Sequence, residues 1–241
     1  MDNNILFVFE GEKTEKLVSK SIKRIYFDDR TIITCAYCNN LYNLHREISA
    51  DEDLDTFSLL KSMGINRDIL APYDRTDFAE IFLFFDYDGH DTVADDDKVL
   101  AMLNFFNEET EQGKLYISYP MVEALKHFTG NESFRDLKVK CKENINYKKL
   151  VSDEAHKEFL QLNNYEREIW NTLIICHLSK MNHIVEDVYK FPIRLMFQDE
   201  IFEHQLTKYI SVDQTTAVLS AFPLFLHDYF GNKSLIEKIK K

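Results

Sequence analysis

Residues 5–15 read ILFVFEGEKTE, in which five consecutive apolar residues lead into a carboxylate, a glycine and two further carboxylates. An unbroken apolar run predicts a strand that is covered on both faces, and Gly11 permits a sharp turn before a helix begins. In open α/β sheets, ligands bind at the carboxyl ends of such strands. The stretch therefore predicts a buried strand that carries Glu10 to a ligand-binding edge.

The same pattern returns in residues 79–91, AEIFLFFDYDGHD, where an apolar strand ends in Asp86 and Asp88. Helical spacing and β-branched runs alternate through the first half of the chain, which indicates an α/β fold with a largely parallel sheet flanked by helices. The predicted helices are 14–27, 41–48, 54–63, 95–107 and 121–128, and the further predicted strands are 30–36 and 114–118.

The composition changes near residue 129, where the chain becomes polar and basic. We therefore expect a catalytic α/β domain over residues 1–130 and a helical C-terminal region over residues 131–241, which begins with a basic linker at about 136–150. Helical periodicity predicts three C-terminal helices, and Pro223 should end or kink the last of them. These helices are expected around 170–178, 199–209 and 215–229.

The chain of 241 residues has a formal net charge of −12. Such a field repels phosphates, so it argues against a protein that binds nucleic acid or anionic membrane over its whole surface. No apolar run approaches the roughly 20 residues that a membrane span needs, and the amino terminus lacks the positive start of a signal peptide. The expectation is a cytoplasmic protein without a membrane partner.

Four cysteines are too few for a fold built on disulfides. Cys35 and Cys38 form a C-x-x-C pair, which is compatible with a thioredoxin-type redox site or half of a zinc site. Cys141 and Cys176 are isolated, so a second close pair for zinc is missing. Buried or inert thiols are the favoured interpretation.

If the two acid-tipped strands are neighbours, Glu10, Asp86 and Asp88 meet at one edge of the sheet. Asp-x-Asp suits a hard divalent cation, because two oxygens on one side of a turn share it. Mg²⁺ or Mn²⁺, as one ion or two, is the natural cofactor, and such ions promote phosphodiester cleavage. Solvated loop acids are the alternative, which we prefer for Asp91 and residues 95–97.

An apolar strand, EGEKTE at residues 10–15, a helix and a later apolar strand capped by Asp-x-Asp together resemble the Toprim domain. Toprim is the metal-binding catalytic domain of topoisomerases, primases and OLD-family nucleases. The EGE-x-TE form is most similar to small Toprim proteins of phage-defence loci, the RloB-like and abortive-infection proteins. Residues 117–125, ISYPMVEAL, resemble their Ser-x-Pro-x-x-Glu helix start. The resemblance covers about residues 4–128.

The resemblance implies roles for individual residues. Glu10 corresponds to the first-motif glutamate, a metal ligand or general acid/base, and Glu15 to a second acid that helps to hold metal. Asp86 and Asp88 correspond to the Asp-x-Asp ligands. Glu123 corresponds to a glutamate recurrent in the small defence proteins, and its alternative is an ordinary acid on a helix surface.

Several further residues have two open interpretations. Glu12 either assists the site or caps a helix start. Lys13 lies at a helix start, where backbone N–H groups favour anions, and either contacts phosphate in the catalytic site or is an exposed lysine. His90 either positions a phosphate or water, or is a loop residue. A basic cluster is either a nucleic-acid footprint or a solvated face, and consists of Lys138, Lys140, Lys142, Lys148 and Lys149.

The leading hypothesis is a metal-dependent Toprim-type endonuclease that hydrolyses DNA or a structured RNA such as tRNA. By analogy it would be the toxic effector of an antiviral, abortive-infection system, controlled by a partner ATPase, since the chain has no Walker-type loop of its own. Homo-oligomerisation is open. The alternatives are an interaction module with a silent Toprim site and a dithiol redox protein.

Overall fold

A five-stranded sheet in the order β2-β1-β3-β5-β4 forms the centre of the α/β fold. The computed structural model describes residues 3–51, 53–87, 89 and 95–240. β1 runs parallel to both β2 and β3, and β4 is antiparallel to β5, so the sheet is mostly parallel as predicted. The strands are β1 Asn3–Phe9, β2 Thr31–Tyr37, β3 Glu80–Asp86, β4 Asn107–Glu108 and β5 Gly113–Ser118.

Helices flank this sheet and make up most of the C-terminal half. In the first half they are α1 Lys13–Tyr26, α2 Leu41–Ala50, α3 Thr56–Ser62, α4 Arg67–Leu70 and α5 Asp96–Phe105. In the second half they are α6 Asn131–Asp136, α7 Tyr147–Glu154, α8 Arg167–Glu186, α9 Gln198–Gln205, α10 Ser211–Asp213 and α11 Ala221–Ile239. None of the helices among the described residues combines the length and the apolar character needed to cross a membrane.

The chain divides into two compact units that interleave along the sequence. The first unit consists of Met1–Phe85 with Ala101–Leu115, and the second of Asp86–Leu100 with Tyr116–Lys241. The predicted functional boundary at residue 130 stays a prediction.

The core of the first unit is built on β1. Residues 5–9 of this strand are all fully buried, because the strand has a neighbouring strand on each side and is covered on both faces. Phe7 makes edge-to-face contacts with Phe82 and Phe84 on β3, at centroid distances of 6.1 and 5.0 Å. Aromatic pairs in this geometry add to the stabilisation from burial alone.

The core of the second unit surrounds α8, which is the long amphipathic helix that the sequence predicts. Trp170, Leu173, Ile174 and Leu178 on this helix are fully buried. The His177 ring on the same helix packs edge-on against Phe134 of α6, at a centroid distance of 4.8 Å. α8 therefore provides the apolar face on which its neighbours pack.

The sequence-based prediction is wrong for two segments and for the number of C-terminal helices, which is six among the described residues rather than three. The helix predicted over 121–128 is a single 3-10 turn, Val122–Leu125. The helix predicted over 215–229 is instead a short strand, β7 Thr215–Ala217, followed by α11, because Thr215 and Thr216 pair antiparallel with β6 Lys138–Lys140. Pro223 lies in the first turn of α11, where its missing N–H costs no helical hydrogen bond.

Candidate acidic site at the strand ends

The acids of the two sequence motifs lie at or just beyond the carboxyl ends of β1 and β3. The parallel register places Phe9, the last residue of β1, opposite Phe84, and β3 continues for two residues beyond that pair. Glu10 follows Phe9 directly, and Asp86 is the last residue of β3. The condition stated for the sequence, that the two acid-tipped strands are neighbours, is met by this register.

The carboxylate of Glu15 folds back against Gly11. Glu15 belongs to the first turn of α1, yet its exposed fraction is only 8%. A Cβ atom added to Gly11 would lie 2.8 Å from Glu15 Oε1, closer than such atoms approach in proteins. A side chain at position 11 would therefore displace the Glu15 carboxylate.

Glu12 and Lys13, in contrast, are both exposed. Glu12 occupies the N-cap position of α1 but makes no capping hydrogen bond through its side chain within the described chain. Its alternative role as a helix cap therefore has no support from the geometry. Lys13 is the first residue of α1, near the backbone N–H groups that favour anions.

The acids of residues 10–15 act electrostatically on the end of β2. Burial raises the pKa of the Tyr37 phenol to about 12, and the charges of Cys35, Glu12 and Glu15 add to this rise. Burial also raises the pKa of the Cys38 thiol, with a further contribution from Glu10. The carboxylates that follow β1 therefore contribute to the pKa shifts of two side chains at and just after the end of β2.

Replacing Gly11 with alanine should displace Glu15 with little loss of stability, because a carboxylate at the end of a flexible side chain can move away from the new methyl group. We expect the free energy of unfolding to change by less than about 1 kcal/mol. If Glu15 helps to hold a divalent ion, the stabilisation of the protein by Mn²⁺ should fall. Urea unfolding with and without Mn²⁺ measures both quantities.

Gly64→Ala is the matched control, because a Cβ atom there meets nothing within 4 Å. It should leave the stabilisation by Mn²⁺ unchanged. A Gly11→Ala protein that keeps the full stabilisation by Mn²⁺ would remove Glu15 from the set of metal ligands.

Glu123, in the second unit, is a buried acid. It lies in the 3-10 turn after β5, and its exposed fraction is 5%. Its Oε2 atom is buried and has no hydrogen-bond partner among the described residues. Its Oε1 atom lies 3.8 Å from Lys148 Nζ, whose side chain is 67% exposed. The alternative of a surface acid is therefore wrong, and an under-coordinated buried carboxylate requires an explanation.

A hydrogen-bonded chain runs near Glu123. The Tyr147 hydroxyl lies 3.0 Å from His127 Nδ1, and His127 Nε2 lies 3.1 Å from Glu154 Oε2. Burial lowers the pKa of His127, and Glu154 opposes that shift. Burial raises the pKa of Tyr147, to which the charges of Glu123, Asp86 and Glu154 contribute. Neutral His127 therefore accepts from Tyr147 and donates to Glu154.

The side chains of Tyr87, Asp96 and Lys142 are in contact with one another. The Tyr87 hydroxyl donates to Asp96 Oδ1 at 2.6 Å, and Lys142 Nζ contacts both oxygens of Asp96 at 3.0 Å. Asp88 and His90 lie outside the described residues. Within the described ranges, no three His, Cys, Asp or Glu side chains form a group suited to a metal ion.

The predicted basic cluster is paired within the chain, although its binding role stays a prediction. Residues 136–150, expected as a linker, contain β6 and the start of α7. Each lysine has an oxygen partner: Asp213 carboxylate for Lys138, Asp213 carbonyl for Lys140, Asp96 for Lys142, Glu123 for Lys148 and Asp153 for Lys149. These contacts reduce the charge that the cluster offers to a polyanion.

The described cysteines are free thiols. Burial raises the pKa of both Cys35 and Cys38, which disfavours the thiolate that redox exchange requires. This property favours inert thiols over the dithiol alternative.

Two residues of the hydrogen-bonded chain, Tyr147 and Glu154, were missed by sequence reasoning. Neither lies in a recognisable motif, and only the fold brings them to His127.

The chain was compared with protein-family models, with curated proteins and with solved structures. None of these three comparisons finds a match.

Proposed function

We propose that this protein is a divalent-metal-dependent nuclease that hydrolyses phosphodiester bonds of DNA or of a structured RNA such as tRNA. The observation that supports the proposal is the register of β1 and β3, in which Phe9 lies opposite Phe84, one residue before Glu10 on one strand and two residues before Asp86 on the other. Parallel strands of an α/β sheet present their ligands at this end.

The metal ligands in this proposal are Glu10, Glu15, Asp86 and Asp88. Their hard carboxylate oxygens match the donor preference of Mg²⁺ and Mn²⁺. Buried Glu123 fits the same chemistry, since its Oε2 has no hydrogen-bond partner among the described residues and a cation would stabilise such a carboxylate. A bound ion would supply an activated water and stabilise the leaving oxygen.

The remaining roles in the proposal belong to other polar side chains. Lys13, exposed at the start of α1, would orient a phosphate oxygen of the substrate. Glu12 and His90 are accessory candidates. The chain from Tyr147 through His127 to half-exposed Glu154 offers a route by which a proton reaches solvent.

The biological role follows only from the resemblance to Toprim proteins of phage defence. We propose a cytoplasmic toxic effector that a partner ATPase controls. Co-purification of such a partner from the native host would support that role, and it is independent of the chemical test below.

The chemical test is metal-dependent cutting of DNA and of total RNA by the purified full-length chain. We expect cleavage with Mg²⁺ or Mn²⁺, loss of cleavage with EDTA, and loss in both Glu10→Gln and Asp86→Asn, because each substitution removes a charged ligand and keeps the side-chain shape. Glu158→Gln, at an exposed position, is the control and should cut like the wild type.

Inertness on both substrates with either metal would overturn the proposal and favour an interaction module. Cleavage that survives in both variants would point to a contaminating nuclease. A reversible disulfide between Cys35 and Cys38 under oxidising titration would instead favour the redox alternative.

A further inference from the structure

A basic groove lies along the outer side of the first unit, between α1 and β2. Its volume is about 500 Å³. β2 is an edge strand of the described sheet, so this side of it has no neighbouring strand. We call this feature the basic groove. Its lining includes the cations Lys16, Lys20, Lys23 and Arg24 on α1, with Cys35 and Tyr37 on β2.

The cations of the basic groove form a like-charge stripe along one helix. Lys16, Lys20 and Arg24 are spaced by four residues, so their side chains lie on one face of α1. Like charges at this spacing destabilise a helix. An anion in the groove would remove that cost, in a chain whose net charge is otherwise −12.

A hydrogen bond places the charge of Lys23 between α1 and β2. Lys23 Nζ donates a hydrogen bond to the Thr31 carbonyl of β2, which holds its charge between the helix and the strand. The charges of Lys16 and Lys20 oppose the rise that burial causes in the pKa of the Cys35 thiol. Their ammonium groups therefore act on Cys35, which lines the groove.

The basic groove leads to the acids that follow β1. Tyr37 lines the groove and pairs in register with Phe9, the residue before Glu10. The same tyrosine lies within the electrostatic influence of Glu12 and Glu15. From Lys16 to Arg24, α1 extends roughly 12 Å along its axis, enough for about three consecutive phosphates of one strand.

We propose that the basic groove binds the phosphate backbone of a nucleic-acid strand and delivers it to the acids beyond β1. This inference rests on the proposed function, since it names the surface that holds the same substrate. It adds a second basic surface to the lysines at 138–149, whose side chains contact oxygens of the chain itself.

The test is the affinity of the full-length chain for fluorescein-labelled single-stranded RNA and DNA, measured by anisotropy in EDTA so that no metal-dependent cutting occurs. Lys16→Glu/Lys20→Glu should weaken binding by roughly tenfold or more and reduce the slope of log K against log salt by about 1.4. The control Lys157→Glu/Lys240→Glu makes the same change in net charge at exposed positions outside the groove.

A control that loses as much affinity as the groove variant would overturn the proposal, because the effect would then come from net charge alone. Unchanged affinity in the groove variant would overturn it as well. Failure of the proposed function is distinguishable: a protein that binds through the groove but never cuts with metal retains the binding site and loses the nuclease. Circular dichroism of both double variants checks that α1 remains folded.

Discussion

Replacing Glu123 with glutamine is expected to reduce metal-dependent cleavage by about 100-fold or more while leaving the free energy of unfolding unchanged or raised by about 1 kcal/mol. The two effects have opposite signs because they have different origins. In the metal-free protein the buried carboxylate is a cost to folding, whereas a cation bound beside it, as the proposed function requires, would make it a favourable ligand.

The cost arises because Glu123 is 5% exposed, one of its oxygens has no partner among the described residues, and its nearest cation is 3.8 Å away. Glutamine has the same shape without the charge, so it lowers the desolvation penalty. Lys148 is 67% exposed and returns to solvent when its partner is neutral, so its charge is not left buried.

Cleavage assays and urea unfolding, with and without Mg²⁺, measure the pair of effects. Glu143→Gln makes the same charge change at an exposed position of the second unit and should alter neither. A Glu123→Gln protein that loses stability and keeps its activity would show that Glu123 has a structural role only.

Acidification is expected to destabilise the protein through His177, with a loss on the order of 3 kcal/mol between about pH 7 and pH 4 from this residue. His177 is fully buried, and burial lowers its pKa from 6.5 to about 3, with a smaller contribution from Lys180. The ring accepts a hydrogen bond from the Ser220 N–H at Nδ1, which requires that nitrogen to be unprotonated.

The direction in which stability changes with pH follows from proton binding in the folded and unfolded states. A histidine whose pKa is lower in the folded state contributes its full stability above the unfolded pKa near 6.5. Below that pH the unfolded chain takes up a proton that the folded state refuses, so stability falls until the pH reaches the folded pKa near 3.

Urea unfolding as a function of pH tests this in the wild type and in His177→Asn, whose Oδ1 can accept from Ser220 in place of Nδ1. The variant should be less stable at neutral pH, because it loses the contact with Phe134, and the gap should close as the pH falls. His156→Asn, at an exposed position, should leave the profile unchanged. A constant gap between the wild type and His177→Asn would contradict the assignment.

The strands β1 and β3 and the acids at their ends were predictable from the sequence. An apolar run such as residues 5–9 forms its backbone hydrogen bonds inside a sheet, and its side chains are buried only when both faces of that sheet are covered. The helix α1 follows equally from its periodicity, since its apolar residues recur every three or four positions. These features depend on local pattern, and local pattern is present in the chain itself.

The strand β7 was not predictable, because Thr215–Ala217 pairs with a strand that lies far away in sequence. The same holds for the partners of the lysines at 138–149.

What the sequence determined by itself is therefore the α/β alternation and the presence of acid after two buried strands, because burial of unbroken apolar runs leaves few other arrangements. Only the tertiary structure decided that Glu123 is buried, that Tyr147 and Glu154 meet at His127, and that the cations of α1 line a groove ending near Glu12 and Glu15. Those properties depend on contacts between residues that are distant in sequence. The local sequence pattern does not determine which of those contacts form.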